Sequence, residues 1–206
     1  MQGYKLNKCD AKDFSFLILL PSFGINTCMF SQQFKLFKNS KNQYGGELLK
    51  KDKARQSGRP LDTKNTMHLV LRSSQAVGEW SFSRKENQKK LAEIISKFSL
   101  KYGVQVLSFA NVGNHLHFQI QLSNRHTYKM FIKAVTGSIV MAITKVNKKK
   151  KLLKRFWDYR PFTRVVIGFR ARLTLKNYIE INELEGLGCN RMEAFDILEA
   201  HRKRFA

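Results

Sequence analysis

The chain is poor in acidic residues, in cysteine and in long apolar runs, and each shortage removes a class of function. Three cysteines, Cys9, Cys28 and Cys189, form an odd and unpatterned set, which supports neither a disulfide framework nor a zinc site. The longest apolar stretch, Phe14 to Leu20, has seven residues, far short of the roughly 20 that a membrane helix needs, so no membrane partner is expected. Lys5, Lys8 and Lys12 precede it, but no small-residue cleavage pattern follows, and the expected location is the cytoplasm. No glycine-rich phosphate loop is present, so no nucleotide cofactor is expected.

The deficit of acid leaves 15 Asp and Glu against 38 Lys and Arg, a formal charge of +23 over 206 residues. Such an excess favours a polyanion, because each phosphate neutralised releases condensed counterion and adds affinity. The excess is also localised. Residues 31–60 carry eight basic side chains against Glu47 and Asp52, and residues 145–172 carry eleven against Asp158 alone. Residues 173–206 reverse the balance, with six acidic side chains against five basic ones. A solvated charged face would explain either basic cluster by itself; the pair points to nucleic acid.

The length suits one domain with tails. Residues 1–28 show no sustained period and read as a doubtful extension, with translation expected to begin at Met29. Residues 29–62 are basic and contain Tyr44-Gly45-Gly46 and Gly58-Arg59-Pro60, as a flexible arm would. From residue 63 to 188 the periodicities of a folded domain appear, and 189–206 reads as a C-terminal helix. Met67–Arg72 is a first strand, apolar on both faces. Lys85–Tyr102 is a helix, with Ser83 as its expected cap and Glu86 three residues on. Val104–Ala110 and His115–Leu122 flank a turn and form a hairpin. A second helix runs from about Thr127 to Val146, a fourth strand from Phe162 to Gly168, and further helices from Leu173 to Leu184 and from Met192 to Lys203.

Strand, helix, strand, strand, helix, strand is the split β-α-β arrangement, an α+β, ferredoxin-like fold. It predicts a four-stranded antiparallel sheet with the first two helices on one face and the first and third strands at its centre. His115 and His117 then share one face of the third strand, about 7 Å apart, while Leu116 and Phe118 take the other. Two imidazoles at that spacing can hold one metal ion. The alternative is a pair of unrelated surface histidines. His68, alone on the neighbouring strand, reads as a structural residue.

An open sheet face bearing imidazoles needs a cover, and the helix near Leu173 supplies one. Tyr178 and Asn182 lie one turn apart on it and project from the same side. Tyr178 is placed to face the metal, and Asn182 can add an oxygen ligand to a site with open positions. Otherwise Tyr178 packs with Ile179 and Ile181 as a half-buried core aromatic.

These residues carry a resemblance. Asn114-His115-Leu116-His117 is similar to the paired-histidine motif, and Tyr178-Ile179-Glu180-Ile181-Asn182 to the nucleophile motif, of single-tyrosine HUH transposases of the insertion-sequence-200-like type. The narrower likeness is to the REP-associated tyrosine transposases of bacteria. Gly58-Arg59-Pro60-Leu61, His68-Leu69-Val70-Leu71-Arg72 and Phe156 to Arg164 also resemble members of that family, so the similarity runs from about Phe34 to Gly188. Relatives often carry proline after the motif asparagine. Here Glu183 stands there, so the helix is expected to continue.

The resemblance implies a metal-dependent endonuclease and strand transferase acting on single-stranded DNA beside hairpins, with Tyr178 as the nucleophile that becomes joined to a 5′-phosphate. It implies a divalent ion, Mg²⁺ or Mn²⁺, held by His115, His117 and Asn182. Lys148, Lys149, Lys150, Lys151 and Arg155 would track phosphates of a hairpin stem, Arg59 would enter a groove beside it, and Trp157 or Tyr159 would stack on an unpaired base. Trp157 can equally anchor the start of the fourth strand. The protein would act as a monomer or as a homodimer that exchanges helices. Two other classes stay open: a noncatalytic, domesticated hairpin-binding protein, and a ferredoxin-like RNA-binding module. The second would show stacking aromatics where His115, His117 and Gln119 stand.

Overall fold

The computed structural model describes residues 60–146 and 152–204. The N-terminal extension, the expected start at Met29, the arm up to Arg59, and Lys148 to Lys151 lie outside the described residues.

Each strand is built on a period of two, and the two faces of the resulting sheet differ sharply. Strands β1 (Thr66–Arg72), β2 (Val104–Asn111), β3 (His115–Leu122) and β4 (Phe162–Val166) form one antiparallel sheet in the order β2-β3-β1-β4. The central pair is β1 and β3, as the split β-α-β pattern requires. On one face Met67, Leu69 and Leu71 of β1 meet Leu116, Phe118, Ile120 and Leu122 of β3, all buried. Helices α1 (Lys85–Tyr102) and α2 (Arg125–Thr144) cover that face with Leu91, Ile95, Phe131, Val135, Ile139 and Ile143. Phe118 lies at the middle of this layer, fully buried against Phe109 with ring centroids 5.0 Å apart.

The opposite face carries the polar members of the same alternation: His68 on β1, and His115, His117 and Gln119 on β3. Helix α3 (Phe169–Gly186) lies across it, held by a small apolar cluster of Ala110, Val166, Ala171, Leu175 and Ile179. Helix α4 (Arg191–Arg204) packs on the outside of α3 through Ile181, Leu184 and Ala194.

Several boundaries moved. The Ser83 cap does not form: α1 has Arg84 at its N-cap in extended backbone and makes no side-chain capping bond. Ser83 stands one position too early. Helix α2 begins two residues before Thr127, because Asn124 Oδ1 accepts from the backbone N–H of His126 at 2.8 Å and caps it. Strand β4 stops at Val166 and α3 starts at Phe169, four residues before Leu173. The switch is made at Gly168, whose φ of 89° is open to glycine and costly for other residues. As the glutamate at 183 suggested, α3 runs on past Asn182 to Gly186.

Candidate nucleic-acid processing site

Antiparallel register sets the site. Val70 of β1 lies opposite His117 and Arg72 opposite His115, so His68, opposite Gln119, is the diagonal neighbour of His117. His68 Nε2 and His117 Nδ1 are 3.1 Å apart, with the rings stacked at 5.3 Å. The rings of His115 and His117 are 4.8 Å apart and nearly perpendicular. Asn114, at the end of the hairpin turn, places its Oδ1 2.6 Å from His115 Nδ1.

Helix α3 brings Tyr178 over this group. Its ring stands edge-on to His117 at 5.5 Å and to His68 at 5.9 Å. Tyr178 is 37 % exposed, whereas its neighbour Ile179 is wholly buried. The tyrosine therefore faces the histidines from the rim of the helix and is no core aromatic. One turn on, Asn182 is buried, and its Nδ2 donates to the carbonyl of Tyr178 at 2.6 Å. That bond engages the amide nitrogen of Asn182. Glu180 points elsewhere, toward Lys176 at 3.6 Å and Arg202 at 3.7 Å.

Burial dominates the electrostatics. It pushes the His117 imidazolium down to about 3, helped by repulsion from His68 and His115. His68 is pushed down to about 4 by burial and by the guanidinium of Arg164, its partner across the β1–β4 ladder. His115 is lowered by burial first and by Arg72 second. All three imidazoles are thus neutral at physiological pH and keep a lone pair. Burial raises Glu183 to about 7, and the charge of Glu180 adds to the effect.

A divalent cation fits these residues. His117 Nε2 is buried and has no hydrogen-bond partner, an arrangement that costs free energy unless something occupies it. Asn114 Oδ1 accepts from His115 Nδ1–H, which leaves His115 Nε2 as a ligand. Among the described residues no cluster of three or more His, Cys, Asp and Glu side chains is arranged to hold a metal, so a full coordination sphere has to draw on the Asn182 amide, on solvent or on substrate oxygens.

The expected DNA-binding residues separate. Arg155 is exposed, and its carbonyl accepts from Gln75 Nε2. Trp157 belongs to the other layer: its indole N–H donates to Thr136 O at 3.2 Å, and its ring packs on Phe82 at 5.8 Å and Phe156 at 5.2 Å. It anchors the segment before β4, which leaves the half-buried Tyr159 as the aromatic of the two with a face to offer. Between them, Asp158 accepts from Ser74 N–H at 2.8 Å and from Ser74 Oγ at 2.7 Å, and it lies 3.6 Å from Arg72 Nε. The sequence reads His68 as structural and gives Arg72 and Arg164 no role of their own. The signal for all three was present in strand parity, since 68 and 72 share a face of β1 and 164 is the polar position of β4.

The family described as "Transposase IS200 like" matches residues 63–182. No curated protein matches. Among solved structures, the chain is similar to one titled as a REP-associated tyrosine transposase bound to a REP hairpin, at 13 % identity and a TM-score of 0.52, covering 64 % of this chain and 74 % of that one. Another, titled as a putative transposase from Deinococcus radiodurans R1, aligns at 16 % identity and a TM-score of 0.39, over 64 % of this chain and 98 % of the other. Among the described residues no helix is long and apolar enough to cross a membrane.

Proposed function

The chain belongs to the IS200-like transposases, and from that premise we propose that it cleaves and rejoins single-stranded DNA at hairpin-flanked sites through a 5′-phosphotyrosine intermediate on Tyr178. The observation that carries this reading is the meeting of Tyr178 with His117, ring to ring at 5.5 Å, on a sheet face that is otherwise polar.

Tyr178 gives up its hydroxyl proton and its oxygen attacks the phosphorus. The P–O3′ bond breaks, the 3′-oxygen leaves as a hydroxyl, and the 5′-phosphate stays on the enzyme. The bond energy is conserved for a second strand to displace the tyrosine. His115 and His117, with Asn182, would hold a divalent cation, Mg²⁺ or Mn²⁺. When bound, it polarises the scissile phosphate and offsets its developing charge. The residues themselves do the positioning: β3 fixes the imidazoles from the core side, and α3 presents the nucleophile from the other.

The unit that performs this is residues 63–188, with α4 bracing α3. The partner is single-stranded or hairpin DNA, met by Arg155 and Tyr159 and, outside the described residues, by Arg59 and Lys148 to Lys151. The protein works in the cytoplasm, as a monomer or a homodimer, without a nucleotide cofactor.

The test is incubation of the purified protein with labelled single-stranded hairpin DNA and Mn²⁺ or Mg²⁺, beside Tyr178→Phe, on a denaturing protein gel. The expected result is a metal-dependent covalent adduct that the substitution abolishes. Tight hairpin binding without an adduct, over many DNA sequences, would replace this reading with a noncatalytic, domesticated DNA-binding protein.

A further inference from the structure

His68 is the imidazole that belongs to neither the tyrosine motif nor the histidine pair, yet it makes a direct polar contact with the more buried member of that pair. Its Nε2 lies 3.1 Å from His117 Nδ1. Its ring is also held edge-on by Phe162 at 6.1 Å and by Tyr178 at 5.9 Å.

A hydrogen bond between two neutral imidazoles has one donor, so the pair must choose between two arrangements of its protons. If His68 Nε2–H donates, His117 carries its own proton on Nε2, the atom that is buried without a partner. Either form leaves that atom without a partner in the free protein, but a protonated Nε2 cannot recover the loss by accepting a cation. If instead His117 Nδ1–H donates to His68 Nε2, the buried His117 Nε2 is a bare lone pair. That is the state in which it can ligate a cation, and Asn114 enforces the same state on His115 through Nδ1.

We propose that His68 is a positioning residue of the metal site: it accepts the Nδ1 proton of His117, fixes that ring's tautomer and orientation, and keeps Nε2 free to bind a divalent cation. The proposal rests on the metal reading given above. His68 does not touch the cation; it acts through His117, as Asn114 acts through His115.

The tautomer is read directly on the metal-free full chain, labelled with ¹⁵N-histidine, by two-bond correlations in NMR spectra. His117 is expected to be protonated at Nδ1 and bare at Nε2, and the reverse pattern overturns the proposal without any substitution. Mn²⁺ titration followed by electron paramagnetic resonance then compares the unaltered protein with His68→Leu, which has no acceptor, and His68→Gln, whose amide oxygen retains one. The leucine variant is expected to bind about 10–100-fold more weakly, and the glutamine variant close to the unaltered level. If the unaltered protein binds Mn²⁺ and His68→Leu binds it equally well, the role of His68 falls and the metal reading stands. If the unaltered protein binds none, both fall together.

Discussion

On the proposed reading, the depressed histidine values would make the affinity of this site for a divalent cation less dependent on pH than that of an ordinary histidine site. An imidazole with the usual value of 6.5 is protonated about ten to one at about pH 5.5, which costs tenfold in affinity, about 1.4 kcal/mol. Two such ligands lose about a hundredfold. Here His117 is held down to about 3, so at about pH 5.5 fewer than one ring in about a hundred carries the extra proton. His115 is lowered in the same direction by burial and Arg72, and Asn182 does not titrate. The Mn²⁺ dissociation constant, measured by calorimetry or electron paramagnetic resonance, is expected to change by less than about tenfold between about pH 7.5 and about pH 5.5. Binding near pH 7 is expected to release no proton, which titrations in buffers of different ionisation enthalpy would detect. A fall in affinity of tenfold or more over that interval would refute the reasoning, because it would show that the imidazoles ionise as exposed groups do.

The same shifts make metal-free stability depend on pH, with opposite signs for histidine and glutamate. His68 and His117 have depressed values, so the unfolded chain binds more protons, and stability is expected to drop in urea titrations as pH falls from 6.5 towards about 4. Glu183 is raised from 4.5 to about 7, so its contribution is full below 4.5 and is lost as pH rises through about 7. Glu183→Gln is expected to remove that loss and gain about 1–3 kcal/mol at about pH 8, measured in chelator. Gly186→Ala would put a Cβ 2.2 Å from the carbonyl oxygen of Asn111. Helix α3 must then lift from the hairpin, at a cost of about 1–3 kcal/mol in denaturant unfolding and with loss of the covalent adduct. Phe118→Ala is expected to cost about 3–5 kcal/mol.

The architecture was legible because period and order carry it. Leu116, Phe118, Ile120 and Leu122 alternate with His115, His117, Gln119 and Gln121, so one glance at β3 assigns a core face and a site face. Helix α1 has the expected bounds because Leu91, Ile94, Ile95, Phe98 and Tyr102 keep helical spacing, and Gly103, with a left-handed φ of 61°, ends it. What pattern could not supply was contact between elements. The start of α3 precedes the expected Leu173 because, of its first four residues, only the small Ala171 is buried and Phe169 is more than half exposed, so they show no apolar stripe. His68 was read as structural because a lone histidine carries no local signal. Its meaning lies in the β1–β3 register, which sets it diagonally beside His117. Trp157 is ambiguous in sequence because its hydrogen-bond partner, the carbonyl of Thr136, lies twenty-one residues earlier on another element.

The two layers that enclose the sheet are unequal, and this bears on how the nucleophile is carried. Among the described residues, the α1–α2 face is a cluster of nineteen buried side chains, Phe82, Phe118 and Phe131 among them. Among the same residues, the cluster that seats helix α3 on the sheet has five, of which Ala110 and Ala171 are small. Apolar area sets the free energy of docking, at about 25 cal/mol per Å², so α3 is held by a fraction of what holds the histidine strand. Local opening draws on the smaller of these energies, and the amides of α3 are expected to exchange with deuterium well before those of β1 and β3. The imidazoles would then form a fixed platform while the tyrosine sits on a separable element, as the proposed rejoining would require, since a phosphotyrosine there would have to admit a second strand to the same phosphorus. Equal protection of α3 and β3 in hydrogen exchange would show the helix to be part of the core and would remove this account of how the second strand enters.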